Sequence, residues 1–523
     1  MSSESPSIWK RFPRAFWAAN TMEIFERMGW YGFYAVSSLY LTGAVADGGL
    51  GLSSQDRGVI QALVTFFLYL FPAFFGALAD RYGYQRMFLA SCAVMIPAYL
   101  LLGHPRTFWT FFAVYMLVAI GHGMFKPVVI GTVARTTDAT TGTLGFGIFY
   151  MMVNIGGFLG PIAAGIVRGW SWKYVFYASA GWIVLLGLTC LLFYREPAGR
   201  QAGAGTRSLG RVVADMIAVI GNFRFFLLVA GEMVILVLGA KWLAPGTFLG
   251  LAAAWLLLNL GWDALLRVGG RSAEGGLLTT RMRIGEGRYL VFLLLMAGFW
   301  TSFNQIFMTL PEYIRDYVDT SDLVGTFGPL GGWIVEAFHN DFFLSLGIDS
   351  STWSRGVLEH GQVKPEHLIN LNALGIILGQ VAISYLARNL RPFTTIISGV
   401  LITAVSFLVY LGGAGGFWIV AGVLVFSIGE MLASPKSKEY AGRIAPPDKV
   451  GLYMGYFYWC VALGNLFGGL LSGVMYQHFG PEGIDRPGTM WLAFAALALV
   501  STVALALYNG WLQRQDATIR REP

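Results

Sequence analysis

The sequence predicts an all-α membrane protein: two six-helix bundles with an extra two-helix hairpin between them, about 14 transmembrane helices in all. Three observations carry that prediction. The chain is 56% hydrophobic and only 12% charged, where about a quarter of a soluble domain is charged. Apolar windows of spanning length recur from end to end. Basic residues fall on alternate connections, as a fixed orientation in a bilayer requires.

The first six windows cover residues 15–43, 57–79, 85–103, 107–134, 143–167 and 172–194. An extra pair follows at 222–242 and 246–266, and the last six lie at 288–317, 367–388, 393–413, 416–443, 450–477 and 488–511. The organisation is an amino-terminal bundle over 1–200, a linker and accessory hairpin over 201–284, and a carboxy-terminal bundle over 285–523. Two such halves, rocking around a site at the midplane, make an alternating-access architecture. The 67 glycines allow close helix contacts, and the 17 Trp and 23 Tyr suit interfacial anchors and helix packing.

Orientation follows from charge. Lys10, Arg11 and Arg14 precede the first span, Arg81 and Arg86 follow the second, and Arg195, Arg200, Arg207 and Arg211 follow the sixth. Arg267, Arg271, Arg281 and Arg283 follow the hairpin, Arg388 and Arg391 lie between two later spans, and Arg514, Arg520 and Arg521 end the chain. All share one face, which the positive-inside rule assigns to the cytoplasm together with both termini. The opposite loop, 318–366, is acidic, with Asp319, Asp322, Glu336, Asp341, Asp349, Glu359 and Glu366. The net charge of +7 is thus a matter of loop topology, and no nucleic-acid partner is expected. The polar, basic start has no separate apolar core, so no signal peptide is expected. Cys92, Cys190 and Cys460 sit in apolar segments without pairing or metal spacing.

Within the first span, Glu23-Ile24-Phe25-Glu26-Arg27 places three full charges where the chain is otherwise apolar. Each costs about 2.5–3.5 kcal/mol at a bilayer centre, which excludes a lipid-facing surface. Spacings of three and four put Glu23, Glu26 and Arg27 on one helix face. The face must meet a protein interior or an aqueous path, which points to movement of protons or charged solutes. Lys126 lies several residues inside the fourth span and Glu430 mid-way along a later one, so both are candidates for a cavity. Lys126 opposite the two acids would make a neutral cluster, and protonating one Glu would free a cation for an anionic solute. A static ion-pair network is the alternative. His122 is read as a packing residue and Glu232 as a structural polar group of the hairpin.

The cytoplasmic turn Gly76-Ala77-Leu78-Ala79-Asp80-Arg81-Tyr82-Gly83-Tyr84-Gln85-Arg86 resembles the signature of the major facilitator superfamily. The first-span cluster, with Trp30-Tyr31-Gly32 after it, is similar to the first-helix motif of its proton-dependent oligopeptide transporters. Phe149-Tyr150-Met151-Met152-Val153-Asn154-Ile155-Gly156, Gly121–Pro127, and Gly429-Glu430 with Ser434-Pro435 and Ala445-Pro446-Pro447 resemble further signatures of that family. The resemblance implies a major facilitator fold and proton-coupled symport of di- and tripeptides. Proton coupling would involve Glu23, Glu26, Arg27 and Lys126. Arg27 and Lys126 would engage the substrate carboxylate and Glu430 its amine. Tyr31, Tyr69, Asn154, Trp300, Asn304, Asn372 and Trp459 would line the pocket, and Gly76, Asp80, Arg81, Gly83 and Arg86 would form the gating turn. Two departures stand out. Asn304 occupies the place of an acid that normally partners the Lys126 position, and Trp30 replaces the first Tyr of a pair.

A carrier or exporter of another small anion or zwitterion is the alternative function, favoured by the missing acid. An enzyme is disfavoured: no Ser-His-Asp, HExxH or Cys-His cluster occurs, and the six histidines are scattered. No phosphate-binding loop is present, so an ion gradient is the expected energy source. The expected partners are a small peptide or related zwitterion, protons and the lipid bilayer, with no cofactor and no metal. The expected form is a monomer in the cell membrane.

Overall fold

The computed structural model describes residues 11–138, 141–196, 223–268, 281–282, 287–328, 356–444 and 450–519. Arg200, Arg207, Arg211, Arg271, Arg283, Glu336, Asp341, Asp349, Ala445, Pro446 and Pro447 lie outside the described residues, as does the side chain of Asp80.

Six helices form the first half: α1 Arg14–Thr42, α2 Ser54–Tyr82, α3 Tyr84–Leu101, α4 Phe108–Arg135, α5 Gly142–Arg168 and α6 Trp172–Phe193. The hairpin is α7 Phe223–Trp242 and α8 Pro245–Val268. The seventh core span is built from three pieces, α9 Gly287–Phe303, α10 Gln305–Met308 and α11 Leu310–Tyr317. A two-residue β-hairpin, β1 Leu358–Glu359 with β2 Gln362–Val363, precedes α12 Pro365–Leu386. The chain continues through α13 Pro392–Val409, α14 Gly416–Ile444, α15 Val450–Phe479 and α16 Pro487–Ile519. These helices make fourteen rods among the described residues, and 11 spans are long and apolar enough to cross a membrane by length and composition. The rods begin and end within four residues of the windows read from hydropathy, except that the last runs to Ile519, eight residues past its window.

Turn chemistry sets the boundaries. Ser53 caps α2 by accepting the Asp56 N–H at 3.1 Å, and Thr107 and Thr110 form a reciprocal cap on α4. Gly83 joins α2 to α3 at φ +95°, a conformation a side chain would strain. The seventh span is not the single continuous helix its hydropathy suggests. The Asn304 side-chain amide donates to Trp300 O at 2.8 Å, beside the backbone N–H of Asn304 at 3.1 Å on the same carbonyl. The first break of the span falls at this residue. Pro311, with no N–H, then opens α11.

Each half has its own apolar core, and the halves meet chiefly where α2 crosses α15. The crossing rests on absent side chains. A methyl on Gly58 would stand 2.5 Å from Gly469 O and 2.7 Å from Gly473 Cα. Small residues let the backbones touch, the usual way membrane helices gain packing energy. We call the face where α1 starts proximal and the face where it ends distal.

Candidate functional site

The charged face of α1 is buried against α4. Arg27 Nε lies 3.2 Å from Glu23 Oε1, and both its Nε and Nη2 donate to the two carboxylate oxygens of Glu26. Glu26 also meets His122 Nδ1, and the other ring nitrogen of His122 is 2.8 Å from the Tyr99 hydroxyl. Glu23, Glu26 and Arg27 are 3%, 0% and 4% exposed, so these bonds replace water entirely. One oxygen of the cluster is left over: Glu23 Oε2 is buried with no hydrogen-bond partner among the described residues.

Lys126 sits one turn beyond His122, and its Nζ lies 4.6 Å from the centre of the Tyr69 ring, a cation–π contact. Asn304 is 4% exposed, turns its amide back onto its own helix, and packs against Gly468 of α15. Asn304 and Trp459 both lie outside the cavity lining. Tyr458, one residue earlier in α15, lines it and stacks on Tyr69 with centroids 6.4 Å apart.

The cavity between the halves has a volume of about 300 Å³. That is the lower end of the range for small-molecule sites. Its amino-terminal wall carries Glu23, Arg27, Tyr31, Tyr69, Lys126 and Asn154; Trp300, Asn372 and Glu430 face them from the other half. Asn372 Nδ2 donates to Glu430 Oε2 at 3.0 Å and to Ser427 Oγ at 3.1 Å. Asn154 donates to the Tyr150 carbonyl at 2.8 Å. Glu430, Ser434 and Lys438 follow one another at successive turns of α14, so the carboxy-terminal wall presents an acid and an amine. Lys438 Nζ reaches across the halves to within 5.5 Å of the Tyr150 ring centre.

Sequence reasoning passed over Tyr99, Tyr458 and Lys438. Tyr99 meets His122 behind Glu26, while Tyr458 and Lys438 line the cavity from two other helices. The one signal available was spacing: His122 is four residues before Lys126, and Lys438 eight after Glu430, which puts each pair on a common face. His122, read as a packing residue, is buried with both ring nitrogens bonded, to Glu26 and to Tyr99.

At the proximal turn, Gly76 packs on Pro127, Arg81 lies over the Tyr82 ring at 5.4 Å, and Arg86 is exposed. Glu196 caps the start of α3 by accepting the Tyr84 N–H at 3.0 Å. On the distal side the halves are clamped. Arg57 and Glu312, both fully buried, form a two-pronged pair at 3.0 and 2.8 Å, and Arg57 Nη1 also donates to Ser472 Oγ at 2.6 Å. Arg168 at the end of α5 pairs with Glu366 at 2.9 Å and Glu359 at 2.9 Å. Lys364 Nζ donates to Gly165 O at 2.8 Å. The structure is therefore a state closed on the distal side.

A largely apolar cavity with charged groups on both walls, shared by two helical halves and closed from one side, defines a multi-pass solute carrier. The chain belongs to the Major Facilitator Superfamily, whose sequence model matches residues 21–339 and 324–522. It is 24% identical over 512 residues to the peptide transporter YePEPT of Yersinia enterocolitica subsp. palearctica, covering 93% of this chain and 91% of that one. It is 24% identical over 538 residues to dipeptide and tripeptide permease A of Escherichia coli (strain K12), covering 96% and 93%. Among solved structures, a peptide transporter POT in complex with sulfate superposes with a TM-score of 0.67 at 19% identity, over 96% of this chain and 95% of that one. A POT family transporter in complex with 5-aminolevulinic acid gives 0.65 at 18% identity, over 96% and 99%. The resemblance drawn from the first, fourth and fifth helices agrees with these names.

Proposed function

We propose that this chain is a proton-coupled symporter of di- and tripeptides working by alternating access in the cell membrane. Its proximal face and both termini would lie in the cytoplasm. The bundles at 1–200 and 285–523 are the moving halves, and 201–284 is an accessory element. The observation that carries this reading is the charge layout of the cavity. Cations Arg27 and Lys126 stand on one wall, and the acid Glu430 on the other. A zwitterion bridging them would bind both halves at once and so favour closure around itself. Glu23 Oε2, buried and unpartnered at the cavity, supplies a seat for the coupling proton next to Arg27. A proton there weakens the Glu23–Arg27 pair and frees the guanidinium for a carboxylate.

A second reading keeps the fold and the coupling but changes the cargo to another small anion or zwitterion. Lys438 on the Glu430 wall favours it, because it adds a cation where the peptide amine would sit. Uptake of labelled dialanine into proteoliposomes decides between them. Accumulation driven by an inward proton gradient, abolished by collapsing the gradient, is the expected result. Equal uptake with and without the gradient would defeat proton coupling, and no uptake of any peptide would favour the second cargo class.

A further inference from the structure

His122 is a titratable group of the buried cluster that the scheme above leaves unused. It is fully buried, it does not line the cavity, and both ring nitrogens are engaged. Nδ1 meets Glu26 Oε1 and Nε2 meets the Tyr99 hydroxyl at 2.8 Å. The Tyr99 hydroxyl can donate to a bare ring nitrogen or accept from a protonated one. Neutral imidazole and imidazolium therefore both keep each nitrogen hydrogen-bonded. A packing histidine needs only one of those states; this pocket serves two.

Glu26 shows why two states matter. Its carboxylate is held by Arg27 through both oxygens and by His122 through one. If Arg27 turns toward a substrate carboxylate, Glu26 loses its main counter-charge while remaining fully buried. A lone buried carboxylate is strongly disfavoured. We propose that His122 takes up a proton as Arg27 is drawn to the substrate, so that imidazolium replaces guanidinium as the partner of Glu26. The step balances simply: one proton from water adds to the bare ring nitrogen, no bond to carbon changes, and the proton leaves when Arg27 returns. His122 is thus a second protonation site of the cycle beside Glu23. It acts through Glu26 and Arg27 rather than on the substrate.

The surroundings bear on the sign. From α1 the ring faces Glu26 and, further off, the Arg27 cation; from its own helix, Lys126; from α3, Tyr99. The edge of the ring meets Trp30 of α1 with centroids 5.2 Å apart. With Arg27 and Lys126 in place the site resists a second cation. With Arg27 withdrawn, Glu26 favours one. Proton uptake at His122 is therefore tied to Arg27 movement, which is what coupling to substrate requires.

This inference rests on the proposed symport, and the test separates the two. Purified wild-type protein in weakly buffered detergent solution should take up protons when dialanine is added, read with a pH indicator. His122→Asn should lose part of that uptake. The pH midpoint of its gradient-driven transport should fall by about one unit, because without an imidazole to take over, Glu26 keeps its hold on Arg27, and a carboxylate so paired is a weaker proton acceptor than the Glu26–His122 pair. Tyr99→Phe keeps the ring and its packing but removes the hydroxyl, and should move the midpoint the same way by less. A His122→Asn protein with wild-type melting, pH midpoint and proton uptake would overturn the role of His122 while leaving symport intact. If His122→Asn does not fold, an unchanged midpoint in Tyr99→Phe overturns it instead. Absence of proton-driven uptake in the wild type would instead defeat the underlying function.

Discussion

Glu23 and Glu26 are one helical turn apart and chemically alike, yet their surroundings give them different work. Glu26 accepts two bonds from Arg27 and meets His122; Glu23 has Arg27 at 3.2 Å and one oxygen without a partner. Removing one member of a buried pair costs about 3–5 kcal/mol, and Glu26 supports more of the cluster. Glu26→Gln should therefore lower Tm and impair binding and exchange together. Glu23→Gln should fold, bind and exchange substrate, but fail to concentrate it against a gradient. Melting curves alongside uptake and counterflow measure this, and indistinguishable variants would refute the division of labour. The i, i+3, i+4 spacing made the cluster legible in the sequence. Its partners were not, because Glu26 and His122 are 96 residues apart. Asn304 was legible as a departure from a motif, but its direction was not: the side chain turns onto Trp300 O rather than toward Lys126.

At the scale of the element, hydropathy placed the spans to within four residues, apart from the end of the last, because a membrane helix must be apolar over its length and satisfy its own backbone. The break in the seventh span was not readable, since mean hydropathy carries no information about local backbone geometry. The α2–α15 crossing shows how an interface depends on what is missing. A side chain at Gly58 would strike the backbone of Gly469 and Gly473, whereas a Cβ at Gly142 meets nothing within 4 Å. Gly58→Val should push α2 from α15, weaken distal closure and cut gradient-driven uptake at least several-fold. Gly142→Ala should leave uptake near wild type. Normal transport by Gly58→Val would mean that this contact opens too little in the cycle to matter.

Across the whole molecule, the distal clamp ties the halves through ion pairs that must break for the cavity to face the other way. Lys364, just ahead of α12, gives the clamp a pH dependence. Its burial, opposed by Glu366 and reinforced by Arg168, lowers the ammonium to about 8 in the closed state. Once the clamp opens, water should restore it to the ordinary range near 10.4. Between those values the closed state holds fewer protons, so raising pH from about 8 toward 10 favours closure; below 8 this group is protonated in both states and contributes no pH dependence. Spin labels at Val45 and Ile484, exposed on the distal face of opposite halves, report this as a distance distribution. The short-distance fraction should grow over that interval in wild type and stay flat in Lys364→Met. A matching rise in both proteins would assign the effect to another group.

The sequence by itself determined that this chain spans a membrane as two helical halves with a hairpin between them. It also showed that three charges of the first helix must be buried, because solvation energy acts on each segment whatever it packs against. The tertiary structure alone decided which charges neutralise which. Lys126 settles on an aromatic ring, His122 joins Glu26, and Arg57 locks Glu312 across the halves. Those choices depend on distances between residues tens to hundreds of positions apart. A buried charge is stable only when its partner arrives within hydrogen-bonding reach, and helical periodicity carries no information about that.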